Sequence, residues 1–319
     1  MDKLIVSTSP HISHKTTTAS IMRDVLIALL PATVAAIVLF GFKALVIIAV
    51  CVGSAIASEF LFNLICKKKQ TVGDLSAVVT GLLLALNLST NVSIWQCLVG
   101  SVFAIVVVKC LFGGIGHNFA NPAITARVLL LVAFPTSVAG GAMTQFAELS
   151  SGATPLKLIE DGKALPSIFD MLFGNIGGAI GETCSIALII GFVYLLIRRV
   201  ISWHTPVIFV GTVFVLSLIF RQNLTYAIYE VLGGGLLLGA IFMATDYTTT
   251  PINKGGKILF AVGCALITCA IRFWSDSYPE GVSFAILLMN IVSPYLEKLG
   301  TKRPFGVGGK KHGKKYCKK

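Results

Sequence analysis

Thr154 is the residue on which any chemistry of this chain has to be argued. It ends the run Ser151-Gly152-Ala153-Thr154, precedes Pro155-Leu156, and lies in the one long polar interruption, about residues 139–175, of an otherwise apolar sequence. Gly152 permits a tight turn, Ala153 adds little bulk and Pro155 fixes the backbone that follows, so together they are expected to display the hydroxyl. A threonine hydroxyl is a weak nucleophile without a base, and no His or Cys constellation surrounds this one in the sequence. Thr154 therefore reads either as an attachment point for a modifying group or as an ordinary loop threonine, and no catalytic residue is expected. The first reading makes the chain an electron carrier in a membrane. The second leaves a channel- or transporter-like bundle.

Other polar residues are spread through the apolar runs. Glu59, Glu182 and Glu230 fall toward the ends of such runs, where a carboxylate reaches the headgroups at little cost. Asn87, Asn121, Asn290 and Asp246 lie in or beside them. Lys109 can snorkel, and Arg127 has the chemistry to meet a phosphate or a partner. Gly113-Gly114-Ile115-Gly116 leads into His117-Asn118-Phe119-Ala120-Asn121-Pro122-Ala123, a turn that starts a helix with Pro in its first turn. Gly235 and Gly239 form a small-x-x-x-small pair that predicts close helix packing. His117 and His204 stand alone and read as interfacial side chains; no metal site is expected. The eight cysteines include no C-x-x-C pair, which points away from a disulfide framework, a zinc site or an iron–sulfur cluster built by this chain alone.

The elements that must position these residues are membrane helices. Of 319 residues 55% are hydrophobic and 13% charged, and the mean hydropathy is +0.86. Soluble domains carry about 25% charged residues, so the composition settles the class. The apolar runs are continuous, unlike the short alternating segments of a β-barrel. No cleavable signal peptide is evident. The net charge of +12 comes from basic residues between the runs and in the tail Lys310, Lys311, Lys314, Lys315, Lys318 and Lys319. Their partner is expected to be anionic membrane lipid and not nucleic acid.

A span needs roughly 20 apolar residues to cross about 30 Å of hydrocarbon. Ten candidates are approximately 24–41, 43–65, 74–91, 93–112, 119–138, 177–198, 204–220, 225–245, 256–272 and 281–298. With the N-terminus inside, 19 Lys and Arg fall on the cytoplasmic side and 5 outside. Both termini are then cytoplasmic, and 139–175 is extracytoplasmic. The expected organisation is a first five-helix half (1–138, with the N-terminus), the loop with the attachment motif (139–175), a second five-helix half (176–298) and a basic tail (299–319). Gly81-Leu-Leu-Leu-Ala-Leu-Asn87 echoes Gly235-Leu-Leu-Leu-Gly-Ala-Ile241. Five crossings per half make the two halves run in opposite directions. The predicted fold is all-α, a polytopic helical membrane protein with two five-helix inverted repeats.

The Ser-Gly-Ala-Thr run resembles the flavinylation sequence of the Rnf/Nqr membrane redox complexes. In that family the last Thr carries FMN through a phosphoester, installed by a dedicated flavin transferase. Asn118-Phe119-Ala120-Asn121-Pro122-Ala123, Met243-Ala244-Thr245-Asp246 and Thr250-Pro251 are similar to family segments too, although Tyr247 stands where the family often has Pro. The whole chain looks like a member of the Rnf D / Nqr B family. The short stretch before the first span resembles the Rnf branch, since the quinone-reductase branch has a longer extension there. The resemblance implies a translocase component with FMN on Thr154, in a bacterial cytoplasmic (inner) membrane, together with the other Rnf complex subunits (A, B, C, E and G). Such a complex couples ferredoxin and NAD to Na+ or H+ movement. A second, non-covalent flavin such as riboflavin is implied by the quinone-reductase branch. Phe146, Phe169 and Phe173 flank the loop and either stack on a flavin ring or pack on the bundle. The alternatives are the Nqr B component of the Na+-pumping NADH:quinone reductase and a cofactor-free secondary transporter or channel.

Overall fold

A computed structural model of the chain describes residues 17–138, 144, 154–160, 165–274 and 281–300. All ten predicted spans coincide with helices. In the first half these are α1 (Thr18–Phe40), α2 (Phe42–Ile65), α3 (Ser76–Leu86), α4 (Ile94–Val102), continued by a π-helical stretch Phe103–Cys110, and α5 (Pro122–Ala133). A single turn α6 (Pro135–Val138) and two short helices, α7 (Pro155–Glu160) and α8 (Ile168–Phe173), belong to the connecting region. The second half holds α9 (Ser185–Ile197), α10 (His204–Arg221), α11 (Leu224–Leu232), α12 (Leu236–Leu238) continued by a π-helical Gly239–Met243, α13 (Lys254–Trp274) and α14 (Val282–Gly300). The chain is a multi-pass, helical membrane protein.

The ten helices are not equivalent. Among the described residues α1, α2, α10, α13 and α14 are each long and apolar enough to cross a membrane. The pair of α11 and the helix Leu236–Met243, bent by 59° at a glycine turn, is a broken span or a re-entrant loop, and as one span it would be the sixth. The other four, α3, α4 with its π stretch, α5 and α9, are shorter apolar helices. At 1.5 Å per residue the 11 residues of α3 cover only about half of the hydrocarbon.

The predicted span 177–198 shows why. Its helix starts at Ser185, because residues 175–184 run non-helically through the protein interior. There Ile180 N–H donates to Leu88 O (2.9 Å) and Gly181 N–H to Leu86 O (2.7 Å). Irregular backbone survives at membrane depth only where protein surrounds it. This segment thereby ties the start of the second half to the end of α3.

The packing repeats between the halves. In the first, α2 packs on α3 and α4; in the second, α10 packs on α11 and α13. Across the middle, α1 lies on α9 and α5 on α14. Lipid offers little hydrophobic drive for helix association, so close approach rests on small residues. A Cβ on Gly81 would stand 2.8 Å from Cys51 O, and one on Gly191 would collide with Ala28 O. Of the predicted glycine pair, Gly239 does pack closely, facing Val282 of α14. Gly235 faces the Glu182 carboxylate instead.

Candidate functional site

Thr154 is not displayed. It is only 6% exposed, because the helix it starts is drawn against the bundle. Its carbonyl accepts from Leu158 N–H (3.0 Å), and Pro155 takes the first helical position, where no donor is needed. Leu156 and Leu158 are buried while Lys157 points to solvent. Ser151, Gly152 and Ala153 lie outside the described residues, as do most of 139–153, the N-terminal residues 1–16 and the tail beyond 300. Phe169 and Phe173 on α8 are 71% and 65% exposed, so they do not pack on the bundle; Phe146 lies outside the described residues.

Leu156 sits on the break between α11 and α12. Gly234 there has φ +67°, and a Cβ on it would collide with Leu156 Cδ1. Breaking a helix in a membrane releases carbonyls that need partners. Arg272 of α13 supplies them: Nη2 lies 3.3 Å from both Gly233 O and Gly234 O, and Nη1 lies 3.1 Å from Glu230 Oε2. Arg221 also reaches Glu230 (3.3 Å). The hydroxyl of Tyr229, one residue earlier, donates to Pro166 O, and Met171, Ile176 and Tyr229 form a small core of their own. One end of α11 thus holds both described arms of the connecting region.

A related arrangement serves the first half. Lys109, in the π-helical turn after α4, is 2% exposed and donates to Glu59 Oε1 (2.8 Å) and Ser76 Oγ (2.6 Å). Thr71 Oγ1 donates to the same Glu59 oxygen (2.6 Å) and accepts from Asn63 (3.1 Å). None of Glu59, Glu182 and Glu230 reaches the headgroups, contrary to expectation; each is buried. Neither does Lys109 snorkel. Partners far apart in sequence pair with two of these carboxylates: Glu59 Oε1 has Lys109, while Glu59 Oε2 is buried without a hydrogen-bond partner among the described residues, and Glu230 has Arg272. Glu182 accepts from the nearby Ala179 N–H (2.8 Å). Arg127 is also buried, with Nη1 2.8 Å from Asn87 Oδ1.

Between the halves lies a cavity of about 90 Å³. Its polar wall includes Ser76, Thr80, Lys109, Asn118, Asn121, Asp246 and Thr248, and Met22, Leu83 and Phe242 are among its apolar lining. Asn121 does two jobs: its Oδ1 caps α5 by accepting from Ala123 N–H (3.0 Å), and its Nδ2 donates to Asp246 Oδ2 (3.4 Å) across the cavity. Thr248 donates to Asp246 Oδ1 through N–H (3.1 Å) and hydroxyl (3.0 Å). Among the described residues Asn118 Oδ1 is a buried atom without a hydrogen-bond partner, an acceptor still to be matched.

A sequence model of the NQR2, RnfD, RnfE family matches residues 5–306. The chain belongs to this family. Among its relatives is the D component of the "Na(+)-translocating ferredoxin:NAD(+) oxidoreductase complex" of Acetobacterium woodii, 46% identical over 95% of this chain and 96% of the relative. The D component of the "Proton-translocating ferredoxin:NAD(+) oxidoreductase complex" of Clostridium ljungdahlii is 35% identical, over 94% and 96%. That of the "Ion-translocating oxidoreductase complex" of Methanosarcina acetivorans is 30% identical, over 96% and 98%.

Two of the segments that resemble this NQR2, RnfD, RnfE family, Asn118–Ala123 and Met243–Asp246, meet across the cavity, as the Asn121–Asp246 contact shows. The sequence reading missed the two ion-pair clusters, although one signal was present. Aligning Gly81 with Gly235 places Ser76 opposite Glu230, each five residues earlier. Those two residues receive Lys109 and Arg272, the basic residues near the ends of the fourth helix of each half. Among the described residues Asn290 is buried with neither side-chain polar atom hydrogen-bonded.

Proposed function

We propose that this chain is the membrane-embedded D component of an ion-translocating ferredoxin:NAD+ oxidoreductase (Rnf) complex and carries FMN as a phosphoester on Thr154. The observation that carries the reading is the Ser-Gly-Ala-Thr run ending on a residue built into the bundle, in a chain of this family. Its relatives' names supply the reaction: electron transfer from ferredoxin to NAD+ coupled to Na+ or proton movement. Moving one charge against 100 mV takes about 2.3 kcal/mol, which the redox step elsewhere in the complex must supply. The other Rnf complex subunits (A, B, C, E and G) and a flavin transferase are the partners. The lysine and arginine distribution supports an inner-membrane orientation with both termini cytoplasmic and Thr154 outside.

Thr154 is the residue type that this phosphoester requires, although the residue itself is only 6% exposed. Thr154 supplies a hydroxyl at a helix start, with the exposed Lys157 cation in the same first turn. When bound, FMN supplies a centre that takes up and passes on electrons. The protein's part is to hold the attachment point still: Leu156 and Leu158 anchor α7, and the glycine turn receives it. Because seated Thr154 is buried, the transferase must meet the hydroxyl before α7 closes on that turn. Phe169 and Phe173 are exposed and free to cover a ring.

For the second, non-covalent flavin, the cavity between the halves is the place we propose. Asn118, Asn121, Asp246 and Thr248 offer the donors and acceptors that a flavin edge requires. About 90 Å³ is the share of roughly three liquid waters, so a three-ring system enters only if the lining moves apart.

The deciding experiment is in-gel flavin fluorescence of the denatured chain, produced with its transferase, beside mass spectrometry of the peptide from Ser150 to Lys157. A fluorescent band that vanishes in Thr154→Ala supports the carrier. A dark wild-type band supports a cofactor-free transporter, and co-purifying quinone-reductase subunits would move the chain to the Nqr branch.

A further inference from the structure

The glycine turn between α11 and α12 is more than a bend. Gly234 is required twice over: its φ of +67° strains any other residue, and the space its side chain would take is filled by Leu156. Gly233 is close to the same anchor, since a Cβ there would lie 3.6 Å from Leu156 Cγ and 3.6 Å from Met171 Cε. Arg272 reaches both carbonyls of the turn while paired with Glu230. Arg272 also lies directly under the seat, 2.9 Å from where a Gly234 Cβ would be. Thr154 is two residues from Leu156, so whatever fixes Leu156 fixes the hydroxyl.

We infer that the Gly233–Gly234 turn is a built seat for the attachment segment, and that Gly234 and Arg272 are positioning residues for the group on Thr154. The inference rests on the reading of Thr154 as a flavin carrier. The broken helix of the second half thereby acquires a role: it presents a rigid, side-chain-free surface to the loop and couples α13 to the flavin's location. A displacement of the seat moves the flavin relative to its electron partners without touching the phosphoester.

The test uses membranes holding the assembled complex. Leu158→Cys places a thiol at a buried position of α7, and its labelling by a membrane-impermeant maleimide, above that of the unsubstituted chain, reports whether the segment is seated. Gly234→Ala attacks the seat and Leu156→Ala attacks the anchor. Gly53→Ala, at a position where an added Cβ meets nothing within 4 Å, is the control. Labelling is expected to rise several-fold in each of the first two and not in the control. The attached flavin's midpoint potential should shift in both. The double variant Gly234→Ala with Leu156→Ala should be no worse than Gly234→Ala alone, because the colliding partner is gone. Unchanged labelling in both single variants overturns the seat. Raised labelling with an unmoved potential overturns the positioning role. A wild-type chain without flavin fluorescence overturns the functional reading and the positioning role with it, while the labelling still decides whether the turn holds the segment.

Discussion

Lys109 Nζ lies 2.8 Å from Glu59 Oε1, with both side chains almost wholly withdrawn from solvent. The pair joins the π-helical turn after α4 to α2, and through Thr71 and Asn63 it also fastens the connection between α2 and α3. In the second half Arg272 and Glu230 do the corresponding work at the break in the third helix. Each half therefore buries one cation from its fourth helix against a carboxylate.

Removing one partner of such a pair leaves the other charge buried and alone. Glu59→Ala is expected to destabilise the detergent-solubilised complex by about 3–5 kcal/mol, read as a lowered thermal midpoint. The paired replacement Glu59→Leu with Lys109→Met should recover most of that loss. If Glu59→Ala melts like wild type, the pair is not what holds α2 to α4.

Arg272→Lys separates charge from geometry. A lysine ammonium keeps the attraction to Glu230 but lacks the planar fork that also meets Gly233 O and Gly234 O. Leaving those carbonyls unpaired should cost about 1–3 kcal/mol, with Arg272→Ala costing more. Thermal unfolding of the two variants side by side checks the order; equal losses would mean that the carbonyl contacts contribute nothing.

Each of the ten apolar runs read from the sequence falls on helix, because a helix in the bundle needs a long apolar run. The sequence did not show which helices were short, since α9 reads as apolar from residue 177 although its first turns are irregular backbone bonded to Leu86 and Leu88. Thr154 stood out by residue type, yet its burial depended on Leu156 finding Gly234, almost eighty residues on. Buried charges were misread for the same reason: Glu230 near a helix end suggests solvent until Arg272, on another helix, is known to cover it. The helix start at Asn121-Pro122 was legible because such signals are local. The bond of Asn121 to Asp246 was not.

Asn121→Ala tests both roles of that side chain. Loss of the cap should cost about 0.5–2 kcal/mol, and loss of the Asp246 contact should loosen the cavity wall. Flavin released by denaturation without hydrolysis is expected to fall in this variant, while covalent in-gel fluorescence on Thr154 stays. A parallel loss of the covalent signal would mean that the variant is misfolded or that the two sites are one.

Asp246 should give the stability a pH dependence of defined sign. Burial raises its carboxyl above the ordinary 3.8, against the opposing pull of the Thr248 and Thr249 hydrogen bonds. The folded protein therefore binds this proton more tightly than the unfolded chain does. The resulting stabilisation is fully present below 3.8 and is lost as pH rises through the folded value. Asp246→Asn holds the position permanently uncharged and removes the effect. Thermal midpoints of wild type and Asp246→Asn, followed from about pH 4 to pH 7, should diverge as pH rises, with the wild type losing ground. Parallel curves would mean that Asp246 is as well solvated in the cavity as in the unfolded chain.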